Sequence, residues 1–304
     1  MKSNEQRTKM TISPITFHPA AAESSHHFSI VIPTWNNLPH LQLLVRSIRE
    51  HSRYQHQIVV HVNEGSDGTR QWVEQQKFSY SYSKENVGVC FAFNAAVSLA
   101  KSDFLLLIDD DNYLLPDWDF YLWQEVEKIG HPYFSVSATK IEPRKTFNPC
   151  VISPEDFGHS PDTFRESELL AQYKNYKHAD WNGSSWYPLV IHRRLWDLVG
   201  GLSTEFTPGM YSDPDFMMKL WQAGVRYFKG VSASRSYHFI SKSVRRIKKN
   251  NGRRQFLLKW GMSNSTFRTE YLRMGTPFSG ALEEPQGSAL KRKRLKDKMK
   301  LLWS

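Results

Sequence analysis

Residues 104–112 read FLLLIDDDN: five apolar residues, Phe104 to Ile108, run directly into Asp109, Asp110, Asp111 and Asn112. A continuous apolar run this short, bounded by polar residues, reads as a strand buried on both faces. Three carboxylates at the end of such a strand raise one another's pKa, so they imply a compensating positive charge. Oxygen ligands of this kind suit magnesium or manganese, which can bridge to substrate phosphates. A solvated acidic turn or a helix N-cap is the plainer explanation. A single Asp would favour it, but three in succession after FLLLI favour the metal.

Outward from this strand the chain alternates between strand and helix patterns. FSIVIP (28–33) reads as a buried strand stopped by its proline, and Leu41, Leu44, Val45 and Ile48 fall at helical spacing within residues 38–51. QIVVHV (57–62) is a second strand ending in the turn-rich NEGSDG (63–68). A helix from Thr69, a short strand near Tyr80 and a helix over 89–100 lead into the strand at 103–108. Farther on, residues 133–141, 186–192 and 225–237 read as strands and 213–223 as a helix. This rhythm predicts an α/β fold: a doubly wound, mostly parallel, Rossmann-like sheet flanked by helices. Ligands of such sheets bind at the carboxyl ends of the strands. Three polar clusters converge there: Thr34-Trp35-Asn36, Asn63-Glu64 and Asp109 to Asn112.

The bulk properties fit. An apolar fraction of 40% and an aromatic fraction of 13% describe a folded protein of 304 residues. Two cysteines, Cys90 and Cys150, are too few for a disulfide framework and form no metal-site spacing. Residues 1–26 are polar, lack the apolar core of a secretory signal and read as a disordered leader. No apolar run approaches a membrane span. The expected location is therefore cytoplasmic. Charge is uneven: residues 243–304 carry 16 Lys/Arg against 4 Asp/Glu, and the first 242 carry 24 against 26. An almost neutral body thus joins a strongly basic, helical C-terminal appendage.

Five motifs, in order between Ser29 and Ser243, resemble glycosyltransferase family 2, the inverting enzymes of the GT-A fold. FSIVIPTWN is similar to the family's first strand and nucleotide loop, and VNEGSDGT to its second-strand turn. ENVGVCFAFNAA resembles the Asn-x-Gly and Ala-x-Asn segment, IDDDN the Asp-x-Asp metal motif, and SDPDFMMKLWQAG, followed by His238, the catalytic-base motif and late histidine. The resemblance implies a GT-A domain over 27–242, divided into a nucleotide half (27–115) and an acceptor half (116–242), with the basic segment 243–304 beyond it.

It also implies roles. Pro33 and Thr34 would present backbone and hydroxyl to the nucleotide base. Asn63 and Glu64 would contact the uracil ring, where the family more often has Asp-Asp or Asp-Asn. Asn86 and Gly88, in a turn entering a helix, would approach the diphosphate; Asn94 is either a donor contact or a satisfied helix residue. Asp111 would ligate Mn2+ or Mg2+, Asp109 would touch ribose or a metal-bound water, and His238 would complete the metal site. Asp110 also belongs to the nucleotide site, although neighbours on an extended segment face opposite ways. Asp213 matches the second residue of the family's Glu-Asp pair, Ser212 replacing the Glu, and would act as the base that deprotonates the acceptor hydroxyl. Asp215 competes for that role, and a helix N-cap is the bland alternative for both.

Acceptor recognition is expected from HADWNGSSW (178–186), with Asn182-Gly183 forming a turn beneath the reacting bond and Trp181 and Trp186 either stacking on sugars or packing in the core. In the tail, Leu295, Met299, Leu302 and Trp303 share one helical face amid Lys and Arg. Residues 288–304 are therefore a candidate for docking at an anionic membrane surface, the inner face of the plasma membrane. The partners expected are a nucleotide-sugar donor, UDP-linked, and a glycan or lipid-linked acceptor in cell-surface polysaccharide synthesis. No nucleic acid is expected, because no recognition module accompanies the charge. Two rivals remain. A nucleotidyltransferase would want a Gly-rich phosphate loop where TWNNLPH stands. A non-catalytic sugar-binding protein would not need Asp109, Asp111, Asp213 and His238 together.

Overall fold

Leu105 and Leu107 enter one apolar layer while Leu106 and Ile108 enter the other. With both faces of the strand covered, no position is left for polar alternation. The structure, a computed structural model, describes residues 13–21, 27–241 and 248–302, with side chains as far as Lys300. In chain order its elements are β1 (Ile15–His18), β2 (Ser29–Trp35), α1 (Leu38–His51), β3 (Gln57–Asn63), α2 (Thr69–Gln75), β4 (Ser79–Ser83), α3 (Gly88–Val97), β5 (Phe104–Leu107), β6 (Asn112–Leu114), α4 (Trp118–Ile129), β7 (Phe134–Ile141), β8 (Val151–Ile152), α5 (Glu166–Gln172), β9 (Trp181–Asn182), β10 (Leu189–His192), α6 (Arg193–Val199), α7 (Ser212–Gln222), β11 (Tyr227–His238), α8 (Gly252–Trp260), α9 (Asn264–Thr266) and α10 (Ser288–Leu302).

The sheet order is β1-β4-β3-β2-β5-β10-β7-β11-β6, with β8 on β7 and β9 on β11. Strands β4, β3, β2 and β5 are parallel, as the alternation predicts, and β7 is parallel to β11. Strand β10 runs against both β5 and β7 and joins the two parallel groups. One apolar layer holds the α1 stripe of Leu41, Leu44, Val45 and Ile48 together with Trp118 and Leu122 of α4. The other holds Phe93 of α3, Phe216 and Leu220 of α7, and Phe256, Phe267, Tyr271, Leu282 and Leu290 from the C-terminal segment. That segment shares the core of the sheet's second face.

Two expectations are corrected here. Residues 15–18, placed in a disordered leader, form edge strand β1, antiparallel to β4, and His18 stacks on Tyr80 at 4.3 Å. A four-residue strand depends on its partner more than on its own pattern. The remainder of the leader, 1–12 and 22–26, lies outside the described residues. Strand β2 continues through Pro33 to Trp35 instead of stopping. Val31 turns its carbonyl to Ile108 on the β5 side, and Pro33, two residues on, turns its missing N–H the same way. Strand β5 pairs with β2 only as far as Val31, so the proline costs no ladder bond.

Candidate active site

Strand β5 delivers Asp109 to Asp111 to the sheet's carboxyl rim, and the register of β6 on β11 sets His238 opposite Asn112. Long-range pairing thereby brings the imidazole to the acidic loop. Possible ligand atoms of Asp109, Asp111 and His238 all lie within 4.8 Å of one another. His238 Nε2 is 3.5 Å from Asp111, and its Nδ1 is 2.9 Å from Glu142 Oε1. Ser241 donates its backbone N–H to Asp111 Oδ2 at 2.7 Å. Burial works against ionisation of Asp111, but His238 beside it outweighs that and holds the carboxyl below its usual range. Burial pushes Asp109 up, with Asp111 adding to the effect and Lys140 opposing it. His238 is raised: burial and Lys140 lower it, and Asp111 and Glu142 overcome both. Two carboxylates and an imidazole, oriented by a further carboxylate, are a donor set that suits a divalent cation.

Asp110 turns away. Its carboxylate accepts from Thr34 Oγ1 at 2.7 Å and Asn37 Nδ2 at 2.9 Å, and burial, then Asp111, raises it to about 8. The Thr34 hydroxyl expected at the base is therefore committed to Asp110, and together they lock the nucleotide loop to the acidic loop. Pro33 stays in β2, paired with His61. Asn63 is buried, its Oδ1 accepting from Ser83 and from Val87 N, so it positions the turn entering α3. Glu64 holds a left-handed φ of 59° and receives Asn36 Nδ2 at 2.9 Å, with its side chain part-exposed at the rim.

At the start of α3 the backbone donors already have partners within the chain. Gly88 N–H donates to Asn86 Oδ1, Val87 N–H to Asn63 and Val89 N–H to Pro208 O. These three backbone donors are used by the fold. Gly88 is required for packing, since a Cβ there would stand 2.8 Å from Thr207 and 2.9 Å from Pro208. Asn94 is likewise structural: its amide donates to Leu202 O and its carbonyl accepts from Leu202 N, both at 2.8 Å.

Asp213 occupies the first turn of α7, where Ser212 Oγ ties back to Gly209 O at 2.7 Å. Burial, then the charge of Asp109, raises Asp213 to about 7. The hydroxyl of Tyr187 beside it is buried and adds to neither sheet nor helix bonding. Asp215 is not available: fully buried, it accepts from Trp260 Nε1 at 2.8 Å and Lys259 Nζ at 2.9 Å. Of the expected acceptor segment, Ser185 and Trp186 share a small cavity with Asp213, Asn264 and Arg268. Trp181 is core, bonded to Thr139 and packed so closely on Gly230 that a Cβ there would sit 1.8 Å away. Asn182 is buried and its amide holds Thr276 and Pro277. Glu142 and Lys140 are residues that sequence reasoning missed. Lys140 is the penultimate residue of β7 and Glu142 follows the strand, and nothing local marks either as part of a site.

The model of glycosyl transferase family 2 matches residues 29–180. The chain belongs to glycosyl transferase family 2. Over 204 residues this family member is 25% identical to an uncharacterized glycosyltransferase of Haemophilus influenzae, covering 64% of the chain and 62% of that relative, so it spans less than two thirds of the relative's length. Among solved structures, S. aureus TarS 1–349 in complex with UDP-GlcNAc is similar at a TM-score of 0.56 and 14% identity, over 90% of this chain and 71% of that one. GalNAc-T7 with UDP, GalNAc and Mn2+ is similar at 0.55 and 14%, over 91% and 55%. The mannosyltransferase PcManGT of Pyrobaculum calidifontis, with GDP-Man and Mn2+, is similar at 0.50 and 16%, over 93% and 73%. At these identities the likeness establishes a shared GT-A fold.

Proposed function

We propose that this family member transfers a sugar from a uridine diphosphate donor to an acceptor hydroxyl, with inversion at the anomeric carbon. One observation carries the reading: the three-donor set Asp109, Asp111 and His238 has for a neighbour a carboxyl, Asp213, raised to about 7. A base near neutrality is suited to drawing a proton from a hydroxyl. Asp109, Asp111 and His238 would hold Mn2+ or Mg2+, and the bound cation would offset the charge gathering on the departing diphosphate. Glu142 fixes the ring of His238 through Nδ1, which leaves Nε2 toward the ligand set. Glu64, steered by Asn36, is the residue we assign to the uracil edge. Asp213 takes the acceptor proton as the acceptor oxygen attacks opposite the leaving group, so no covalent enzyme intermediate is needed. The TarS structure with UDP-GlcNAc and the GalNAc-T7 structure with UDP support a uridine donor.

The domain reading is 27–242 for catalysis, with 243–304 completing the acceptor side. No helix among the described residues is long and apolar enough to cross a membrane. Helix α10 leaves Leu295 and Met299 exposed among its basic residues, while Leu302's side chain and Trp303 lie outside the described residues. That exposed face supports docking at an anionic membrane surface, where a lipid-linked acceptor for a surface polysaccharide would be met. The test is hydrolysis of a panel of nucleotide sugars by the purified chain. We expect turnover of a uridine diphosphate sugar that stops on chelation and returns with Mn2+. Undiminished turnover in excess chelator would remove the metal from the reaction.

A further inference from the structure

Beside the proposed base lies a second concavity that the donor chemistry does not use. It encloses about 410 Å³, and its lining includes Arg253 of α8, Arg268 and Lys300 of α10, with Tyr211, Asn264 and Ser265. Among the described residues no carboxylate lines it, Lys300 reaching Asp297 from its edge. Elsewhere in this segment the cations find acids: Lys259 meets Asp215 and Glu205, Lys293 meets Glu270, and Lys300 itself meets Asp297 at 2.7 Å. Arg253 and Arg268 have no carboxylate partner among the described residues, though a solvated position would cost little and a paired one was within reach of the composition. Arg268 is held in place without one, its Nε on Met274 Sδ at 2.9 Å and its guanidinium 5.6 Å from the ring of Trp186.

The cavity is continuous in its lining with the space at Asp213. Asn264 and Arg268 border both, and the buried Oδ1 of Asn264 has no donor. Two arginines without a carboxylate partner among the described residues, with Lys300 shared with Asp297, therefore line a site that has Asn264 and Arg268 in common with the space at Asp213. Guanidinium pairs recognise oxyanions through parallel N–H donors, and a phosphate offers them more acceptor oxygens and more charge than a carboxylate does. The donor diphosphate belongs to the other side, at Asp109, Asp111 and His238. We propose that the acceptor carries a phosphate ester, seated among Arg253, Arg268 and Lys300, that brings its hydroxyl to Asp213. This rests on the transferase reading above and names the substrate class of its acceptor site.

Equilibrium binding to the full chain tests it, with a hexose phosphate, the corresponding neutral hexose, a hexuronic acid and phosphatidylglycerol vesicles as probes. The hexose phosphate should bind and the neutral hexose should not. Arg253→Gln and Arg268→Gln should each weaken hexose-phosphate binding roughly tenfold, about the loss of one charge-assisted pair. Arg253→Lys keeps the charge without the fork and should restore only part of it. Arg253 is exposed and serves no packing, so its variants keep the fold, which an unchanged melting curve verifies. If binding appears only on vesicles and depends on Arg253, the phosphate is that of a lipid-linked acceptor, and the class stands. Equal binding of hexose and hexose phosphate, equal binding of the uronic acid, or indifference to both arginine variants would overturn the proposal. Nucleotide-sugar hydrolysis by the same preparation separates this from failure of the transferase reading, because that activity does not involve the arginine cavity.

Discussion

Replacing Asp213 by Asn should inactivate this protein and at the same time stabilise it. The two effects share one cause. Burial, with Asp109 nearby, lifts the carboxyl from 3.8 to about 7, so its ionised form is disfavoured in the folded chain relative to the unfolded one. A group with a raised folded pKa weakens the fold as pH climbs above its unfolded value, and the loss is complete above the folded value. Lifting a carboxyl that far amounts to about 4 kcal/mol at most, and solvent access to a part-exposed side chain reduces this to about 1–2 kcal/mol. Asn keeps the shape and removes the charge. At pH 8 in chelator, the variant should melt roughly 2–4 °C higher than the parent, a difference that vanishes near pH 4. Transfer should fall by about 10²–10⁴, or about 3–5 kcal/mol of barrier, with donor KM nearly unchanged. The acid limb of the parent's kcat profile belongs to the same carboxyl. Differential scanning calorimetry and a nucleotide-release assay give the two readouts. Activity within tenfold of the parent would move the base elsewhere, and lost activity with a lower melting point would make Asp213 a structural residue.

Glu142→Ala, which frees the ring of His238, should weaken Mn2+ binding about 10–100-fold in a spin-resonance titration, and an unchanged affinity would detach Glu142 from the site. Gly201→Ala puts a Cβ 2.5 Å from Asn94 Oδ1 and 2.8 Å from Trp196 at a φ of +60°. It should cost about 1–3 kcal/mol in urea unfolding, and a wild-type midpoint would show that the Asn94 clamp is soft. Leu295→Glu with Met299→Glu alters two exposed side chains, 62% and 53% accessible. Binding to anionic vesicles should then drop in a salt-dependent way with no change in melting temperature, whereas retained binding would leave α10 without a membrane role.

What the sequence disclosed and what it withheld divide along the range of the interactions. FLLLI announced a doubly covered strand because burial on both faces leaves a local mark, and the α1 stripe did the same at helical spacing. The acidic triplet was legible as a cluster. That its outer members turn toward His238 while Asp110 turns to Thr34 follows the alternation of an extended chain. His238 came through family resemblance, since its place is set by the register of β11 on β6. Glu142 and Lys140 owe theirs to β7, whose pairing with β11 sets Lys140 opposite Ser236. No neighbouring residue encodes that pairing. Trp181 and Asn94 each kept two readings for a related reason. An aromatic ring or an amide looks the same in sequence whether it meets a ligand or, as here, Thr139 and Leu202. Strand β1 was missed because four residues without a partner carry too little pattern.

The basic C-terminal segment had been a single signal, a charge excess pointing to one anionic partner. In the structure that charge does three different things. Lys259, Lys293 and Lys300 bind carboxylates, and Asp297, on the buried side of α10, accepts from Ser263 N and Thr266 Oγ1 and so anchors the last helix to α9. Arg253 and Arg268 face a cavity next to Asp213. Around Leu295 and Met299 the basic residues of α10 surround two exposed apolar side chains. The family match ends at residue 180, before Asp213 and before every residue of the arginine cavity. Asp109, Asp111 and Glu142 lie within the matched stretch, whereas His238 lies beyond it, and the C-terminal segment shares the core of the sheet's second face. A truncation of that segment would remove Leu290 from the core and Asp297 from its anchor together with the surface charge. Loss of vesicle binding on truncation would therefore report unfolding as readily as a lost membrane contact, and the point substitutions at Leu295 and Met299 are what isolate the surface effect.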